Sequence, residues 1–366
     1  MKKNRIFFQI LAVLTVTVSF FACFNDFDEK GKDHIPIEGD AIYYIINYGN
    51  YGGTKSEIST FNPYSKKITN TAYKNANDIE LNSNVQSATI FQGKMYLMSN
   101  NGDKIDVLDA KTLKVVSNPI FENITKPRYF VAKDSNTAYI SCWGEVNDWT
   151  KLEHSYIAKL NLKTKTVKKI PLTAGPEGII IIKNKLYIAL SAINKIAVMD
   201  LDTEVFSFID VPAIAQHFVK TYNSKLYASI VSKYTTPFSK DSLGIVEIDT
   251  KTQNIIDKIQ VPGISNNGEI SLEGNDLYLI AREQYPGTKS EIYKINTETN
   301  DISASPVITG NSFTDIAVDR VVGSIFVLKS PSATETGKIL SFNILNNTFQ
   351  SETETGIYPQ QIVRQE

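Results

Sequence analysis

From about residue 41 onward, short apolar runs alternate with clusters of turn-forming residues, and no window downstream of the N-terminal leader carries a helical period. Three of the runs are near copies of one another: Lys185-Leu186-Tyr187-Ile188-Ala189-Leu190, Lys225-Leu226-Tyr227-Ala228-Ser229-Ile230 and Asp276-Leu277-Tyr278-Leu279-Ile280-Ala281. Turn residues such as Gln92-Gly93, Asn223-Ser224 and Gly274-Asn275 bound runs of this kind, so each reads as a short strand. Downstream of the runs a second mark recurs: an apolar residue, then Asp or Asn, then usually Thr three positions further on. Its positions are Asn62, Asp109, Asn161, Asp200, Asp249, Asn296 and Asn343, separated by 47, 52, 39, 49, 47 and 47 residues. Upstream of each lies an aromatic residue, in order Tyr44, Tyr96, Tyr139, Tyr187, Tyr227, Tyr278 and Phe326.

A period of this length marks a repeat architecture, in which each unit buries its faces only against its neighbours. Each unit reads as four strands. Strand A is an apolar run such as 178–182, strand B holds the aromatic, strand C ends at the Asp or Asn, and strand D follows the turn, as in 166–170. The short polar side chain suits that C–D turn because it bonds nearby backbone groups. Four strands per ~40–50 residues is the pattern of a β-propeller blade. The first copy starts near Ala41 with strand B and has no strand A of its own. Pro359-Gln360-Gln361-Ile362-Val363 supplies one, since it matches the start of strand A in Pro127-Arg128-Tyr129-Phe130-Val131 and Pro176-Glu177-Gly178-Ile179-Ile180. The expected fold is all-β: a seven-bladed β-propeller over residues 41–366, its ring closed by the C-terminal strand pairing with the first blade, which leaves no long unpaired edge at the seam.

Ahead of the repeats, Lys2, Lys3 and Arg5 precede an apolar run from Ile6 to Phe21. That run is shorter than the roughly 20 residues a spanning helix needs, and a basic segment followed by a short apolar one reads as a secretory signal. Phe20-Phe21-Ala22-Cys23 resembles the lipobox of bacterial lipoproteins, in which the cysteine is acylated and becomes the new N-terminus. The resemblance implies a signal peptide over 1–22, lipidation at Cys23 and a lipidated flexible tether over 23–40. Several acyl chains hold a protein stably on a membrane without a spanning helix. Asp26, Asp28 and Glu29 follow Cys23 in a stretch similar to the surface-export signal of Bacteroidetes lipoproteins, which implies an outer-membrane location facing the cell exterior.

Composition narrows the chemistry. The chain is 42% hydrophobic and 21% charged, a globular balance, and its 38 Lys and Arg against 39 Asp and Glu leave no basic surplus to neutralise nucleic-acid phosphates. Cys23 and Cys142 alone cannot make a disulfide framework or a zinc site of paired cysteines. His34, His154 and His217 are too few for a His-rich metal centre, and nothing calls for a cofactor. Cys142, behind Ser141 in a strand B, is expected to be buried and inert. Asp241-Ser242-Leu243 matches a three-residue O-glycosylation signal of Bacteroidetes secreted proteins.

In a propeller, strand A lines the central channel, and the B–C and D–A connections emerge on one face. Five B–C connections are long: 47–56, 143–155, 232–242, 282–289 and 330–337. They carry Tyr48 and Tyr51, both tryptophans Trp143 and Trp149, then Tyr234 and Phe238, and Arg282 with Tyr285. Tyr and Trp pair an apolar body with a polar tip and suit contact with sugars, tetrapyrrole-like rings or a partner protein. The bland alternative is that individual rings fold back onto neighbouring blades. Polar residues stand where each strand A begins: Gln86, Arg128 with Tyr129, Glu177, Gln216 with His217, Glu269, Asp315, and Gln360 with Gln361. They read either as groups that orient a polar ligand or as the walls of a solvated pore.

The candidate ligand-binding set is therefore Tyr48, Tyr51, Arg128, Tyr129, Trp143, Trp149, Glu177, His217, Tyr234, Phe238, Glu269, Arg282 and Tyr285. Glu177, Glu269 and Asp315 are the carboxylates that could pair on the axis as a hydrolase or lyase would require, yet no spacing picks out a reaction. The expectation is a binder and not an enzyme. The run 45–53, Ile-Ile-Asn-Tyr-Gly-Asn-Tyr-Gly-Gly, with Ser56-Glu57-Ile58-Ser59 and Tyr139-Ile140-Ser141-Cys142-Trp143-Gly144, resembles Bacteroidetes surface lipoproteins that carry a YncE-like seven-bladed propeller. Tyr48 stands where those proteins usually have Glu. Some of them capture cobalamin and pass it to a TonB-dependent outer-membrane transporter. The resemblance thus implies a corrinoid as ligand and such a transporter as partner. A surface interaction or adhesion module without a small ligand, and a propeller hydrolase or lyase, stand as the alternatives.

Overall fold

Leu226–Val231 is buried at every position, and Lys185–Leu190 at all but its first. A strand that is half exposed alternates, whereas these belong to sheets covered on both faces, which is why the sequence shows apolar runs instead of alternation. The computed structural model describes residues 43–365 apart from 233–241, 262–265 and 284–286. These residues form seven antiparallel sheets packed face to face as the blades of a propeller. Each blade-to-blade contact is an apolar cluster, such as Tyr187, Ile196 and Val198 of the fourth blade against Leu226, Ala228 and Val246 of the fifth.

The ring closes as expected. Pro359–Arg364 pairs antiparallel with Tyr43–Asn47, placing Val363 opposite Tyr44, and completes a first sheet whose outer strands are Glu57–Phe61 and Ile68–Thr69. Polar contacts pin the seam. Tyr43 donates a 2.5 Å hydrogen bond to the fully buried Asp319 of the seventh blade, and Arg364 approaches the same carboxylate oxygen at 3.4 Å. Burial, with Asp319 beside it, pushes the Tyr43 hydroxyl far above the usual phenol range, so it stays a donor.

The repeat's two marks prove to be one device. The Asp or Asn carbonyl oxygen of the side chain accepts from backbone N–H groups two and three residues on, as Asp200 does from Asp202 and Thr203 and Asn343 from Leu345 and Asn346. The residue four positions on takes a left-handed conformation in all seven turns: Lys66, Leu113, Lys165, Glu204, Gln253, Asn300 and Asn347. This is the type I turn with an αL residue that joins short antiparallel strands. In three places the strand-B tyrosine of one blade donates to the carbonyl just after the Asp or Asn of the next: Tyr44 to Ala110, Tyr187 to Thr250 and Tyr227 to Thr297.

Two features depart from the sequence reading. The second blade has three strands, Val85–Phe91, Lys94–Ser99 and Lys104–Asp109. Its fourth is reduced to isolated bridges at Val115 and Ile120, because Pro119 interrupts the segment and has no N–H to give. A helix of six residues, Ala72–Asn77, sits between the first two blades and buries Ala72 and Tyr73; it is too short to show a period.

Tyr43→Phe removes one hydrogen bond to a buried charge and nothing else from the seam. It should cost about 1.5–3 kcal/mol in urea unfolding. A change under about half a kcal/mol would mean that strand pairing alone holds the ring shut.

Candidate functional site

At the start of strand A every blade carries the same irregularity. The A–B register slips between Val85 and Ser87, Pro127 and Phe130, Pro176 and Ile179, Ala215 and Phe218, Asn267 and Ile270, Phe313 and Asp315, and opposite Ile46 and Asn47 in the first blade. Bulges leave residues unpaired and re-aim their side chains. Here the unpaired residues include Gln86, Arg128, Tyr129, Glu177, Gln216, His217, Glu269 and Gln360, which together line a central cavity of about 440 Å³. Backbone N–H groups freed by two of the bulges are taken up by buried serines of strand B, Tyr129 by Ser141 at 3.0 Å and His217 by Ser229 at 3.2 Å.

Many of these side chains stitch one blade to the next. Arg128 grips Glu177 through two bonds of 2.9 and 2.7 Å and reaches Gln86 at 2.6 Å, joining the second, third and fourth blades. Asp315 accepts from Ile362 N at 2.6 Å, and Gln361 from Ala88 N at 2.6 Å. Thr314 donates to the Pro359 carbonyl at 2.8 Å. Between the fourth and fifth blades the backbones touch directly: a Cβ at Gly178 would fall 2.2 Å from the Gln216 carbonyl oxygen. Glu177 is thus held as a structural ion pair.

Around the fifth and sixth blades the groups are less committed. His217 Nε2 lies 3.0 Å from Glu269 Oε1, but the approach is too oblique for a hydrogen bond, leaving that buried ring nitrogen without one. The His217 ring meets Tyr129 edge-on at 5.8 Å across the cavity. Burial, aided by the charge of Glu269, holds the Asp315 carboxyl well above the usual carboxylate range despite its backbone bonds and Arg282. Burial likewise works against the charge of Arg282.

Loop aromatics pack on residues of the cavity wall. Trp143 lies flat on Arg128, 4.0 Å from ring to guanidinium carbon, and Trp149 leans on Trp143 at 5.8 Å with 65% of its surface exposed. Tyr48 packs edge-on against Tyr358 at 5.6 Å, and Tyr51 is 73% exposed. The tryptophan loop thus rests on Arg128 and the tyrosine loop on Tyr358, and both of these residues line the cavity. Trp143 and Tyr48 are partly buried, so for these two the fold-back reading holds in part. Tyr234, Phe238, Tyr285 and Cys23 lie outside the described residues. Cys142 is fully buried, its thiol pushed up to about 12 by burial, in keeping with an inert core residue.

Sequence reasoning missed Tyr358. It lines the cavity with φ 52, an unusual backbone for a bulky residue, at a one-residue turn between Phe349–Ile357 and Pro359–Arg364. The Tyr-Pro pair carried a trace of that signal, because proline restrains the residue before it.

Over residues 42–332 the sequence matches the family described as a domain of unknown function, DUF5074. The chain belongs to this family. No curated protein sequence matches it. Among solved structures, a quinonprotein alcohol dehydrogenase-like protein of Bacteroides thetaiotaomicron VPI-5482 has a TM-score of 0.64 at 16% identity, over 89% of this chain and 78% of that one. The periplasmic gluconolactonase PpgL of Pseudomonas aeruginosa has a TM-score of 0.66 at 11% identity, over 88% and 99%. Hydrazine synthase of Kuenenia stuttgartiensis has 0.60 at 14%, over 75% and 88%. At such identities the likeness concerns the propeller fold alone, and this DUF5074 chain takes no activity from it.

The raised Asp315 carboxyl gives a pH test. A group whose folded pKa exceeds its unfolded one stabilises fully below the unfolded value, near 3.8 here, and that contribution is lost as pH rises towards the folded value. Asp315→Asn keeps an acceptor for Ile362 and removes the ionisation. Its stability relative to the parent should therefore grow from pH 4 to pH 7 in urea unfolding. A difference that stays constant would mean that the buried carboxyl ionises freely.

Proposed function

We propose that the loop-bearing face is a ligand-capture surface and that a corrinoid is its ligand. The observation that carries this reading is that exposed Trp149 and Tyr51 belong to loops whose inner aromatics, Trp143 and Tyr48, pack on Arg128 and Tyr358 of a polar cavity of about 440 Å³. A corrinoid has an apolar face and a rim of amides. Its ring matches the loop aromatics and its amides the carboxylates, glutamines and Tyr129 of the wall. In this reading the ring lies across the mouth. Trp149 is positioned for the flat face by Trp143, which Arg128 and Glu177 hold in turn.

In this reading residues 1–22 are a signal peptide, Cys23 carries the lipid, and the propeller stands on the outer membrane facing outward. It would hand the corrinoid to a TonB-dependent transporter. The basis for this part is the leader sequence and the family resemblance of the 45–53 run.

One observation favours a second reading. His217 and Glu269 form an acid–base pair at 3.0 Å inside the cavity, the arrangement a hydrolase or lyase would use, and PpgL bears the name gluconolactonase. Glu177, locked on Arg128, has no part in it.

Titrating the mature domain with cyanocobalamin, followed by tryptophan fluorescence and calorimetry, tests the first reading. Binding should weaken about tenfold or more in Trp149→Ala, the loss expected of a central aromatic anchor. If no corrinoid binds, the face is a protein-interaction surface or the His217–Glu269 pair is catalytic. Lactone turnover abolished by Glu269→Gln would decide for catalysis.

A further inference from the structure

The cavity holds two arginines, and they are in opposite states. Arg128 uses Nε, Nη1 and Nη2 on Glu177 and Gln86 and lays its face on Trp143. The guanidinium of Arg282, at the end of strand B in the sixth blade, makes a single hydrogen bond among the described residues, a long one of 3.4 Å from Nη1 to the Phe313 carbonyl. A guanidinium has five N–H donors and keeps its charge in a protein. No carboxylate forms an ion pair with Arg282 among the described residues, although Glu269 and Asp315 lie near enough to influence it. Most of this fork therefore faces the cavity without a protein partner.

The surroundings keep it there. The guanidinium lies against the backbone of Gly268, where a Cβ would come within 2.7 Å of Nη2 and 3.0 Å of Cζ. Any larger residue in that bulge would push the fork away. Of the two nearby carboxyls, Glu269 has His217 Nε2 at 3.0 Å as its own neighbour, and Asp315 is held towards its neutral form by burial. Tyr358 lines the same cavity, and burial raises its hydroxyl above the usual phenol range, so it stays protonated and able to donate.

We infer that Arg282 seats an anionic oxygen group of the captured ligand, a carboxylate or a phosphate, at the cavity wall between the sixth and seventh blades. Arg128 on Glu177 shows the same fork already filled by a carboxylate from within the chain. A planar fork binds such a group through two parallel charge-assisted bonds, which fix orientation as well as energy. The inference rests on the capture reading but not on the ligand being a corrinoid. In a corrinoid the group would be the phosphodiester of the nucleotide loop; in another ligand, a carboxylate.

The mature domain is titrated with inorganic phosphate and, separately, with acetate, at constant ionic strength set by sodium chloride, and the melting temperature is followed. Phosphate, acetate or both should raise it saturably, and the one that does so identifies the group. Arg282→Gln should abolish the shift. Gly268→Ala keeps the charge but displaces the fork, and should weaken the apparent affinity about tenfold; this second variant decides the matter if the first does not fold. A Lys168→Gln variant, altered at an exposed lysine of the third blade, should titrate as the parent does. No saturable shift with either anion, or a shift that survives both Arg282→Gln and Gly268→Ala, overturns the inference. Corrinoid binding in the absence of any anion effect would leave capture standing and remove only the seat. An anion effect without corrinoid binding would do the reverse.

Discussion

A ring of sheets has one constraint that a stack does not: the last face must meet the first. Here the chain meets it by giving the first blade an inner strand from its far end, so that Pro359–Arg364 is hydrogen-bonded to Tyr43–Asn47 and packed beside Phe313–Asp319 of the seventh blade. Losing that strand would expose the edge of the first sheet and the face of the seventh together. The buried Tyr43–Asp319 hydrogen bond sits at this junction with the exposed Arg364 beside it, where polar groups out of water are tolerated only when partnered. The convergence of seven strand starts on one axis follows from closure, and the cavity follows from the convergence.

Closure also explains why the mouth is polar yet mostly inert. Strands A crowd each other near the axis, and the bulges that start them turn backbone and side-chain groups toward it. Neighbouring blades satisfy those groups: Asp315 takes Ile362, Gln361 takes Ala88, and Arg128 takes Glu177 with Gln86. A buried arginine–carboxylate pair held this way is geometry more than stability, because desolvation offsets much of the attraction. What it secures is the height and tilt of Trp143, whose ring rests on the guanidinium.

The fold was legible because its marks are local and repeated. An aromatic in strand B and an Asp or Asn at the C–D turn recur with one period, and both serve contacts that every blade needs, so the sequence shows them seven times. The second blade's weak outer strand was hidden because one proline breaks it without disturbing the Asp109 turn. The mouth residues were legible by position alone. Gln86, Arg128, Glu177, His217, Glu269 and Asp315 could be placed at the strand starts, but not divided into those that bond across blades and those that do not. That division depends on which side chain reaches which neighbour, and on close approaches such as Gly178 to Gln216, which a one-dimensional pattern does not carry. Tyr358 left only the trace of its Tyr-Pro pair for a related reason: its place in the cavity comes from a positive φ in a one-residue turn.

The arrangement of committed and uncommitted groups has a direction. The second to fourth blades hold the tryptophans and the Arg128 network, in which the guanidinium is fully engaged although the buried Trp143 Nε1 has no hydrogen-bond partner. The fifth to seventh hold His217, Glu269, Arg282 and Asp315, where one ring nitrogen lacks a hydrogen bond, one guanidinium is mostly free and one carboxyl resists ionisation. Polar groups left unsatisfied at a buried wall are costly, and a fold that needed them only for closure would have paired them as it paired Arg128. A ligand that lays an apolar face on the tryptophan side and turns polar or anionic groups to the other would satisfy both halves at once. In the proposed capture reading, it is the recess of Arg282 and His217 in the channel that distinguishes a small molecule from a flat protein partner, because a flat surface cannot reach them.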